Sequence, residues 1–577
     1  MLHHFLEQRL KQAIADSAFG ASADLSNVAV RPCPEPKFGD YQTSVLIGLA
    51  KHQKINPRQL ASDVLAKLDV SDWCQSVEIA GAGFLNFRLK PAALANALES
   101  AARREHLFFR KADLARRIVI DFSSPNVAKP MHVGHIRSTI LGDCLARILR
   151  LLGHQVVADN HIGDWGTQFG KLMVGWKLQL NRVALGEDPV AEMERLYRSV
   201  NSACEKDPAV LEQARLELVK LQNGDAENLS IWREMITLSQ HQFDAVYARL
   251  GVEFDCAHGE SFYNPWLKEI VKELCDKAVA RESEGAIVVF FDDVPELKAH
   301  PALVQKSDGA ANYTTTDLAT LRYRMETWHP DEIIYVTDGR QQLHFKQLFA
   351  IFARWHPEAK TKLTHVWFGS ILGEDGKPFK TRSGDTVKLA DLLDEAEERA
   401  FKVVSEKSPE FSEPERREIA RMVGIGAVKY ADLTPNRQSD YVFNWDKMLA
   451  LQGNTAPYLQ YAYTRIRSIF RKLEEAPSGS AAGIDGFTLS APEEITVTKQ
   501  LLNFGLVLEN VLAEYRPNYL CNYLYELAGH FGRFYENCPV LRAQGSERVT
   551  RLAICDATGR VLKQGLELLG IETPEKM

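Results

Sequence analysis

RIVIDFSSPNVAKPMHVGHIRSTILGDCLARILRLLGHQVVADNHIGDWG, residues 117–166, is the stretch that decides the fold. Its start, RIVIDFSS, is typical of a buried strand, and a loop with two prolines follows it. The segment MHVGHIRSTILGDCLARILRLLGH then predicts a long amphipathic helix, and QVVADNHIGDWG (155–166) predicts the next strand. A strand, a helix and a second strand in this order indicate a right-handed parallel crossover in an open α/β sheet.

The sheet is predicted to continue downstream after an interruption. Residues from about 178 to 251 are helical and polar in pattern, so we interpret them as an insertion. Strand patterns resume in four segments: AIVVFF (286–291), ANYTTTD (311–317), EIIYVTD (332–338) and HVWFGSIL (365–372). Because doubly wound sheets bind ligands at the carboxyl ends of their strands, the polar residues of these segments are candidates for a site.

Two further regions flank this α/β domain. Upstream, RQLASDVLAKL (58–68) predicts a helix with one apolar face, and VEIAGAGFLNFRL (77–89) predicts a glycine-rich turn followed by a half-buried strand. We interpret the charged stretch 103–117 as a connector. From about Leu389 onward nearly every pattern is helical and bundle-like, apart from a flexible loop predicted at 477–486.

Composition limits the class of protein. The 577 residues are 45% hydrophobic and 25% charged, close to the globular average, so we expect several packed domains and no extensive disorder. No apolar run approaches the ~20 residues of a membrane span, and the charged N-terminus is typical of an amphipathic helix, not of a signal peptide. The nine cysteines form no CxxC pair, so we expect a reduced cytoplasmic protein. A net charge of −7 argues against non-specific nucleic-acid binding, although local basic patches can still bind phosphate.

The motif with the clearest chemistry is His132-Val133-Gly134-His135, between a predicted strand and a predicted helix. Free N–H groups and the helix dipole favour anions at a helix start, and Gly134 lets a phosphate or an adenine ring approach the backbone. Two imidazoles three residues apart can donate hydrogen bonds to phosphate oxygens as charge shifts during displacement at phosphorus. The tetrapeptide also occurs by chance, and no nearby Cys or carboxylate is spaced to make it a metal site.

The sequence around this motif resembles a known family. SSPNVAKPMHVGHIRST (123–139) is similar to the HIGH-type signature of class I aminoacyl-tRNA synthetases, specifically the arginyl enzymes. The resemblance continues in order along essentially the whole chain: FGDYQ (38–42), HIGDWGTQFG (161–170), YTTTDLA (313–319), DGRQQLHF (338–345), VGIGAVKYADL (423–433) and NTAPYLQYAYTRI (454–466).

The resemblance implies that ATP, with Mg²⁺, is bound and activated by His132, His135, Gly134 and Lys129. The second signature of the class normally reads KMSKS and clamps the ATP phosphates, but GEDGKPFKTRSGDTV (373–387) stands in its place here. Lys377 and Lys380 keep its basic character, and which of the two contacts phosphate is open. In arginyl enzymes of this pattern the lysine upstream of the HIGH-type motif compensates, which is Lys129 here. The alternative for Lys129 is a solvated loop lysine.

An arginine substrate requires carboxylates, because a planar guanidinium pairs best with paired oxygens. The resemblance implies that Asp317, Tyr313 and Asp121 recognise the side chain. It places the α-amino and carboxylate groups near four further residues: Ser124, Asn126, His135 and Gln341. Asp317 could instead cap the helix that follows it, and Asp121 could instead form a structural hydrogen bond to a neighbouring loop.

For transfer RNA, the family uses an N-terminal domain at the elbow and a C-terminal bundle at the anticodon. Phe84 and Asn86 are suited to stacking on an unpaired base and reading its edge. In the bundle we single out Tyr458. Aromatic residues at helical spacing are more often core residues, which is the alternative for Tyr458.

The expected fold is an α/β Rossmann-like catalytic domain with a parallel doubly wound sheet, an α+β N-terminal additional domain and an all-α C-terminal anticodon-binding bundle. The predicted boundaries are 1–112 for the N-terminal domain, 113–388 for the catalytic domain, 389–450 for a helical connector and 451–577 for the bundle.

The expected function is that of an arginyl-tRNA synthetase, with L-arginine, ATP and tRNA(Arg) as partners, no membrane association and a monomeric state. One alternative is another adenylate-forming ligase that joins an amino acid to a small amine, for which the terminal domains would be unnecessary. A second is a non-catalytic tRNA-binding relative, which the intact HIGH-type motif disfavours.

Overall fold

The structure is a computed structural model that describes residues 1–18, 24–377, 379, 387–474 and 486–577. Lys380 and nearly all of the loop predicted at 477–486 lie outside the described residues.

The N-terminal domain combines helices with a small antiparallel sheet whose strand order is β1-β2-β4-β3. The helix predicted at the N-terminus and the strand predicted after the glycine-rich turn are confirmed, and Leu85, Phe87 and Leu89 point into the core as expected. The elements are α1 (Leu2–Ala15), β1 (Arg31–Pro32), β2 (Tyr41–Thr43), α2 (Val45–Gln53), α3 (Pro57–Leu65), β3 (Cys74–Ala80), β4 (Phe84–Leu89) and α4 (Pro91–Ala102).

The central α/β domain is organised by a parallel sheet of four strands, β5 (Arg117–Asp121), β6 (Gln155–Asp159), β10 (Glu332–Tyr335) and β11 (Lys362–His365), in the order β11-β10-β5-β6. Ile118 and Ile120 pack into one hydrophobic cluster and Val119 packs into a second one. Successive side chains of a strand point to opposite faces, so both faces of the sheet are covered, as a doubly wound fold requires.

Helices occupy the connections between these strands. The crossover from β5 to β6 is α5 (Val133–Leu151), which confirms the strand–helix–strand unit. The polar insertion after β6 consists of α6 (Gln168–Gln179), α7 (Arg182–Glu187), α8 (Pro189–Lys206), α9 (Pro208–Gln222) and α10 (Ala226–Leu250). After it come a 3₁₀ turn (Glu260–Trp266), α11 (Leu267–Asp276), α12 (Tyr313–Trp328), a second 3₁₀ turn (Gly339–Gln341) and α13 (Gln342–Trp355).

One segment predicted to continue the parallel sheet does not belong to it. Residues 286–291 contribute β8 (Ala286–Val289) to a separate antiparallel sheet with β7 (Arg281–Ser283) and β9 (Ala302–Gln305). Glu284 and Gly285 both have positive φ and join β7 to β8 directly. A two-residue turn of this kind forces an antiparallel hairpin, so the parallel assignment was wrong.

The prediction of a strand at 311–317 is also wrong, because Tyr313 already begins α12. The β-branched threonines suggested a strand, but the Thr315 hydroxyl donates to the carbonyl of Val304 and anchors the first turn of the helix on β9. The bounds of the strand predicted at 365–372 are also wrong, because β11 covers Lys362–His365 and ends where the predicted strand begins. Beyond it, β12 (Ile371–Leu372) pairs instead with β13 (Tyr441–Val442).

The C-terminal half is helical, as predicted, apart from β13. Its helices are α14 (Leu389–Lys407), α15 (Glu413–Leu433), α16 (Trp445–Met448), α17 (Ala456–Glu474), α18 (Pro492–Leu502), α19 (Phe504–Glu514), α20 (Asn518–Asn537) and α21 (Gly545–Leu568). Among the helices of the described ranges, none combines the length and apolar character needed to cross a bilayer.

The N-terminal domain packs against the C-terminal bundle. Tyr41 donates a hydrogen bond of 2.5 Å to Asn503, and the Lys499 ammonium lies 2.5 Å from the Asp40 carboxylate. The rings of His3 and His4 both contact the carboxylate of Glu509 on α19, at 3.0 and 2.7 Å. The two ends of the chain therefore meet in one interface.

Candidate active site

The candidate active site lies at the carboxyl edge of the parallel sheet. Asp121 and Asp159 are the last residues of β5 and β6 and are direct partners in the parallel register. The loop that follows β5 contains residues 123–130 and leads to the start of α5. This edge is where open α/β sheets bind their ligands.

The loop between β5 and α5 adopts an uncommon backbone that its neighbours hold in place. Ser123, Ser124 and Ala128 have φ values of 75°, 50° and 61°, a region that L-residues with a side chain rarely adopt. Ser123 N–H donates to Ser138 Oγ, Ser124 N–H to Asn160 Oδ1, and Ala128 N–H to Ser239 Oγ. Strain of this kind persists only where surrounding contacts fix the backbone, so this loop has a defined shape.

His132 and His135 together form the N-terminal cap of α5. Nδ1 of His132 accepts a hydrogen bond from Gly134 N–H at 3.0 Å, and Nδ1 of His135 accepts one from His132 N–H at 3.1 Å. The two rings lie with their centroids 4.0 Å apart. A Cβ at position 134 would lie 2.8 Å from the His132 ring, so glycine is required for this arrangement itself.

The capping bonds decide which protons the two imidazoles carry. Because each Nδ1 accepts a backbone proton, each neutral ring carries its own proton on Nε2. Burial lowers the pKa of His132, and it lowers the pKa of His135 to about 3. The positive charge of Lys129 is a smaller contribution to each of these two shifts. At neutral pH the start of α5 therefore presents two uncharged N–H donors.

Lys129 is exposed at the end of the same loop. Its ammonium lies 5.5 Å from the centre of the Tyr197 ring, on helix α8 of the insertion, within cation–π range. Its electrostatic effect on both histidines shows that its charge is felt at the start of α5. The structure thus brings Lys129 and the HIGH-type motif together.

The segment that replaces KMSKS is connected directly to this motif. Val133 N–H donates to the carbonyl of Val387, and Leu389 N–H donates to the carbonyl of Met131. Lys388 and His132 consequently form an antiparallel bridge. Lys377 is exposed in the described part of the segment, whereas Lys380 lies outside the described residues.

A second group of side chains forms around Asp317. Asp317 lies in the second turn of α12, and the N-cap of that helix is Asn312, so the capping alternative for Asp317 was wrong. Nε2 of His344 lies 2.6 Å from Asp317 Oδ2, and the His344 ring packs edge-on against Tyr313 with centroids 4.9 Å apart. The Tyr313 side chain is 59% exposed and therefore accessible to a ligand.

Glu260, at the start of the first 3₁₀ turn, belongs to the same group. Burial, followed by the negative charges of Asp317 and Asp164, raises the pKa of Glu260 to about 8. Neither Glu260 nor His344 was predicted from the sequence as a site residue. His344 lies in the segment DGRQQLHF, which is part of the family resemblance found in the sequence. Its contact with Asp317, however, depends on how α12 and α13 pack.

Asp121 has internal partners in the structure. The guanidinium of the fully buried Arg324 lies 2.6 Å from the Asp121 carboxylate and 2.7 Å from that of Asp159. Ser124 Oγ donates to the other oxygen of Asp121 at 3.2 Å. These contacts correspond to the structural alternative that the sequence left open for Asp121.

The remaining predicted arginine contacts lie around the same edge. Ser124 is half-buried in the strained loop, and Asn126 is exposed opposite Gly163, where a Cβ would lie 2.4 Å from Asn126 Oδ1. Gln341 is exposed at the end of the second 3₁₀ turn, three residues before His344. The structure places all three on segments that leave the carboxyl ends of the strands.

Phe84 and Asn86 line a cavity of about 460 Å³ in the N-terminal domain, together with Phe38 and Gln42. Asn86 is only 6% exposed, deeper than the sequence suggested, and its Oδ1 has no hydrogen-bond partner in the described chain. A buried unpaired acceptor is costly unless a ligand or water satisfies it. Tyr458, in contrast, is half-buried against Tyr525 in the bundle, with ring centroids 5.6 Å apart.

Two further clusters contain potential metal ligands: His3, His4 and Glu509, and Asp159, Cys256 and His258. Internal hydrogen bonds join members of each cluster, since Cys256 donates to Asp159 and the imidazoles of His3 and His4 contact the Glu509 carboxylate. These contacts account for the clusters without a bound ion.

Comparison with protein families gives three consecutive matches. "Arginyl tRNA synthetase N terminal domain" matches residues 4–89, "tRNA synthetases class I (R), catalytic domain" matches 97–445, and "DALR anticodon binding domain" matches 459–577. The matches follow the same order as the three structural regions described above.

Individual proteins match over their full length. The chain is 45% identical to an arginine–tRNA ligase of Laribacter hongkongensis, covering 99% of this chain and all of that protein, and 47% identical to one of Klebsiella pneumoniae, covering 99% of both. Among solved structures, the Thermus thermophilus arginyl-tRNA synthetase superposes with a TM-score of 0.84 at 26% identity, covering 100% of both chains. The Plasmodium falciparum arginyl-tRNA synthetase gives 0.82 at 28% identity, covering 100% of this chain and 99% of that one.

Proposed function

This chain belongs to the arginyl-tRNA synthetase family of class I, and on that premise we propose how its residues carry out the ligation of arginine to tRNA. The overall reaction has two steps. The carboxylate of L-arginine attacks the α-phosphorus of ATP, which forms arginyl-adenylate and breaks the bond to pyrophosphate. The 2′-hydroxyl of the terminal adenosine of tRNA then attacks the arginyl carbonyl and releases AMP.

The observation that carries this proposal is the pairing of opposite binding chemistries at one sheet edge. Two neutral N–H donors and Lys129 face a phosphate at the start of α5. Asp317 supplies negative charge beside Tyr313, where a guanidinium fits, and Glu260 adds a second carboxyl group that pairs with the guanidinium in its ionised form. A ligand that reaches both ends must carry a carboxylate at the phosphate end, where it is activated, and a cationic planar guanidinium at the other end. Arginine bound beside ATP meets both requirements.

At the phosphate end, the Nε2–H groups of His132 and His135 donate to the oxygens of the α-phosphate as negative charge develops there. The cap geometry holds both rings before substrate binds, so little reorganisation is needed in the transition state. Lys129 attracts the β- and γ-phosphates, and Lys377 and Lys380 are proposed to contribute from the adjoining segment. Gly134 leaves the backbone open to the nucleotide.

Magnesium is proposed to enter with the nucleotide. The described groups at the start of α5 are hydrogen-bond donors and a lysine, a set that suits phosphate oxygens and not a resident cation. When bound, Mg²⁺ neutralises charge on the β- and γ-phosphates. The side chains at the start of α5 position the other phosphate oxygens of the nucleotide.

At the arginine end, Asp317 and Glu260 pair with the guanidinium, and Tyr313 covers it. The α-amino and carboxylate groups are proposed to meet Ser124, Asn126, His135 and Gln341. Asp121 then acts through Ser124, because its own carboxylate is already shared between Ser124 and Arg324. Transfer RNA is proposed to place an unpaired base in the cavity of Phe84 and Asn86, and to contact the bundle near Tyr458.

The deciding experiment is aminoacylation of total bacterial tRNA with each of the twenty amino acids in turn. Only arginine should give charged tRNA. Equal product with a small amine as acceptor and no tRNA would favour the adenylate-forming ligase, and tRNA binding without any charging would favour the non-catalytic relative. We propose a cytoplasmic monomer, and sedimentation of the free protein tests its oligomeric state.

A further inference from the structure

His344 contacts two of the three side chains that are proposed to surround the guanidinium, Asp317 and Tyr313. Its Nε2 lies 2.6 Å from Asp317 Oδ2, and its ring packs edge-on against the exposed Tyr313. It reaches them from the first turn of α13, whereas Asp317 and Tyr313 both lie on α12. One imidazole therefore connects the recognition helix to the segment that carries Gln341.

The contact with His344 occupies only some of the hydrogen-bond acceptor sites of the Asp317 carboxylate. Within the described chain, His344 is the only hydrogen-bond partner of this carboxylate. A carboxylate has about four lone-pair sites, so a second oxygen and further lone pairs stay available for the two N–H groups of a guanidinium. Because His344 holds Oδ2, the plane of the Asp317 carboxylate is fixed before the substrate binds.

The tautomer of His344 fits this task. Its Nδ1 is buried and has no hydrogen-bond partner among the described residues. A proton on Nε2 makes that nitrogen a donor to the carboxylate and leaves Nδ1 as an unpaired acceptor. A proton on Nδ1 alone would instead set an acceptor against the carboxylate at 2.6 Å, which is repulsive.

The packing of the two helices does not depend on this hydrogen bond. Leu318 and Leu321 of α12 share one hydrophobic cluster with Phe345 and Leu348 of α13, and all four are buried. Burial of such side chains stabilises the helix pair more than a single partly exposed polar contact does. The His344–Asp317 contact is thus available for a role in binding.

We propose that His344 is a positioning residue for arginine recognition, holding the Asp317 carboxylate through Nε2–H in the orientation that receives the guanidinium. This inference rests on the proposed function, because it takes Asp317 and Tyr313 as the guanidinium site. His344 itself need not touch the substrate.

The test compares His344→Gln with His344→Asn in the full-length protein. Both variants carry an amide N–H donor, but only glutamine places it near the position of Nε2, because asparagine is one methylene shorter. We expect His344→Asn to raise the arginine KM about 10- to 100-fold, the scale of losing a hydrogen bond to a charged group, with kcat nearly unchanged. His344→Gln should stay within about threefold of the wild-type KM, and the ATP KM should not move in either variant.

A double-mutant cycle and a control complete the experiment. In an Asp317→Ala background, His344→Asn should have no further effect on the arginine KM, because a residue that acts through Asp317 has nothing left to position. Lys346 lies on α13, as His344 does, and Lys346→Gln, which removes only its exposed ion pair with Glu296, should behave as wild type.

The results separate this inference from the function on which it rests. Equal KM values for His344→Asn and His344→Gln, whether both normal or both raised, would overturn the positioning role, as would additive effects with Asp317→Ala. A wild-type protein that does not charge tRNA with arginine would instead overturn the proposed function.

Discussion

The two ends of the proposed active site use burial to opposite effect. At the start of α5, loss of water lowers the pKa of His132 and His135 and keeps them neutral, which is already the form that donates to phosphate. At the guanidinium end, the same loss of water raises the pKa of Glu260 to about 8 and favours a protonated acid. That form is the wrong one for pairing with a cation. Burial thus makes the phosphate end indifferent to pH and leaves the arginine end dependent on it.

The largest expected effect lies at the guanidinium end. Asp317→Ala leaves a bound guanidinium without its main carboxylate, a loss of about 3–5 kcal/mol for a desolvated pair. Arginine kcat/KM should therefore fall by roughly two to four decades, measured by tRNA charging. Asp276→Ala, which loses only a surface pair with Lys272, is the matched control. Full arginine-selective activity in Asp317→Ala would move the recognition site elsewhere.

The phosphate end should respond differently to the loss of its charge. Lys129→Ala removes one preorganised cation from the nucleotide site, which should slow adenylate formation about 10²- to 10³-fold. The arginine KM should hardly change, since the two ends bind different groups. Lys206→Ala, an exposed lysine at the end of the same helix as Tyr197, serves as the control. A raised arginine KM with normal turnover would show that Lys129 serves the other end.

The pH dependence tests the contrast itself. With a Glu260 pKa of about 8, the carboxylate is mostly protonated at pH 7 and mostly ionised at pH 9, so the arginine KM should fall about tenfold over that range. Two carboxylates, Asp317 and Asp164, face Glu260 and contribute to this value. The ATP KM should stay level, because the two histidines are neutral throughout. Glu260→Gln should flatten the arginine profile, and a profile that survives this change would assign the titration to another group.

The smallest effect is expected far from both ends. Asn86→Ala removes the unpaired buried acceptor of the N-terminal cavity, so the tRNA KM should rise about 2- to 10-fold, the range for one neutral hydrogen bond. The KM values for arginine and ATP should be unaffected. The exposed Asn96 on α4 supplies the control variant Asn96→Ala. An unchanged tRNA KM would separate this cavity from tRNA binding.

The same contrast explains what the sequence could and could not predict. The phosphate end is contiguous in the chain, so residues 123–139 contain its loop, its cap and its lysine together. The guanidinium end is assembled from a 3₁₀ turn, α12 and α13, and a contact such as His344–Asp317 exists only once those helices pack. No local sequence pattern indicates that Arg324 belongs to the site. Asp121 and Asp159, however, end adjacent parallel strands, and two neighbouring buried carboxylates require a cation between them.

The errors in the fold have equally local causes. The β8 segment was assigned to the parallel sheet because its apolar run looks like any buried strand, and only the Glu284–Gly285 turn reveals the hairpin. The threonines before Asp317 favour a strand by intrinsic preference, yet they lie in the first turn of a helix that the Thr315 hydroxyl anchors on β9. In both places a turn or a tertiary hydrogen bond outweighed the preference of the residues themselves.

The interface between the chain's two ends has a consequence for biosynthesis. His3 and its partner Glu509 are 506 positions apart, and Tyr41 and Asp40 bind residues of α18 and the turn after it. At about 5–20 residues per second, a ribosome needs roughly 25–100 s between making α1 and making α19. During that time the N-terminal domain presents an uncovered face, including Phe108 and Phe109, which later close on Gly505 and Phe504. The last helices to be synthesised therefore complete the first domain to emerge.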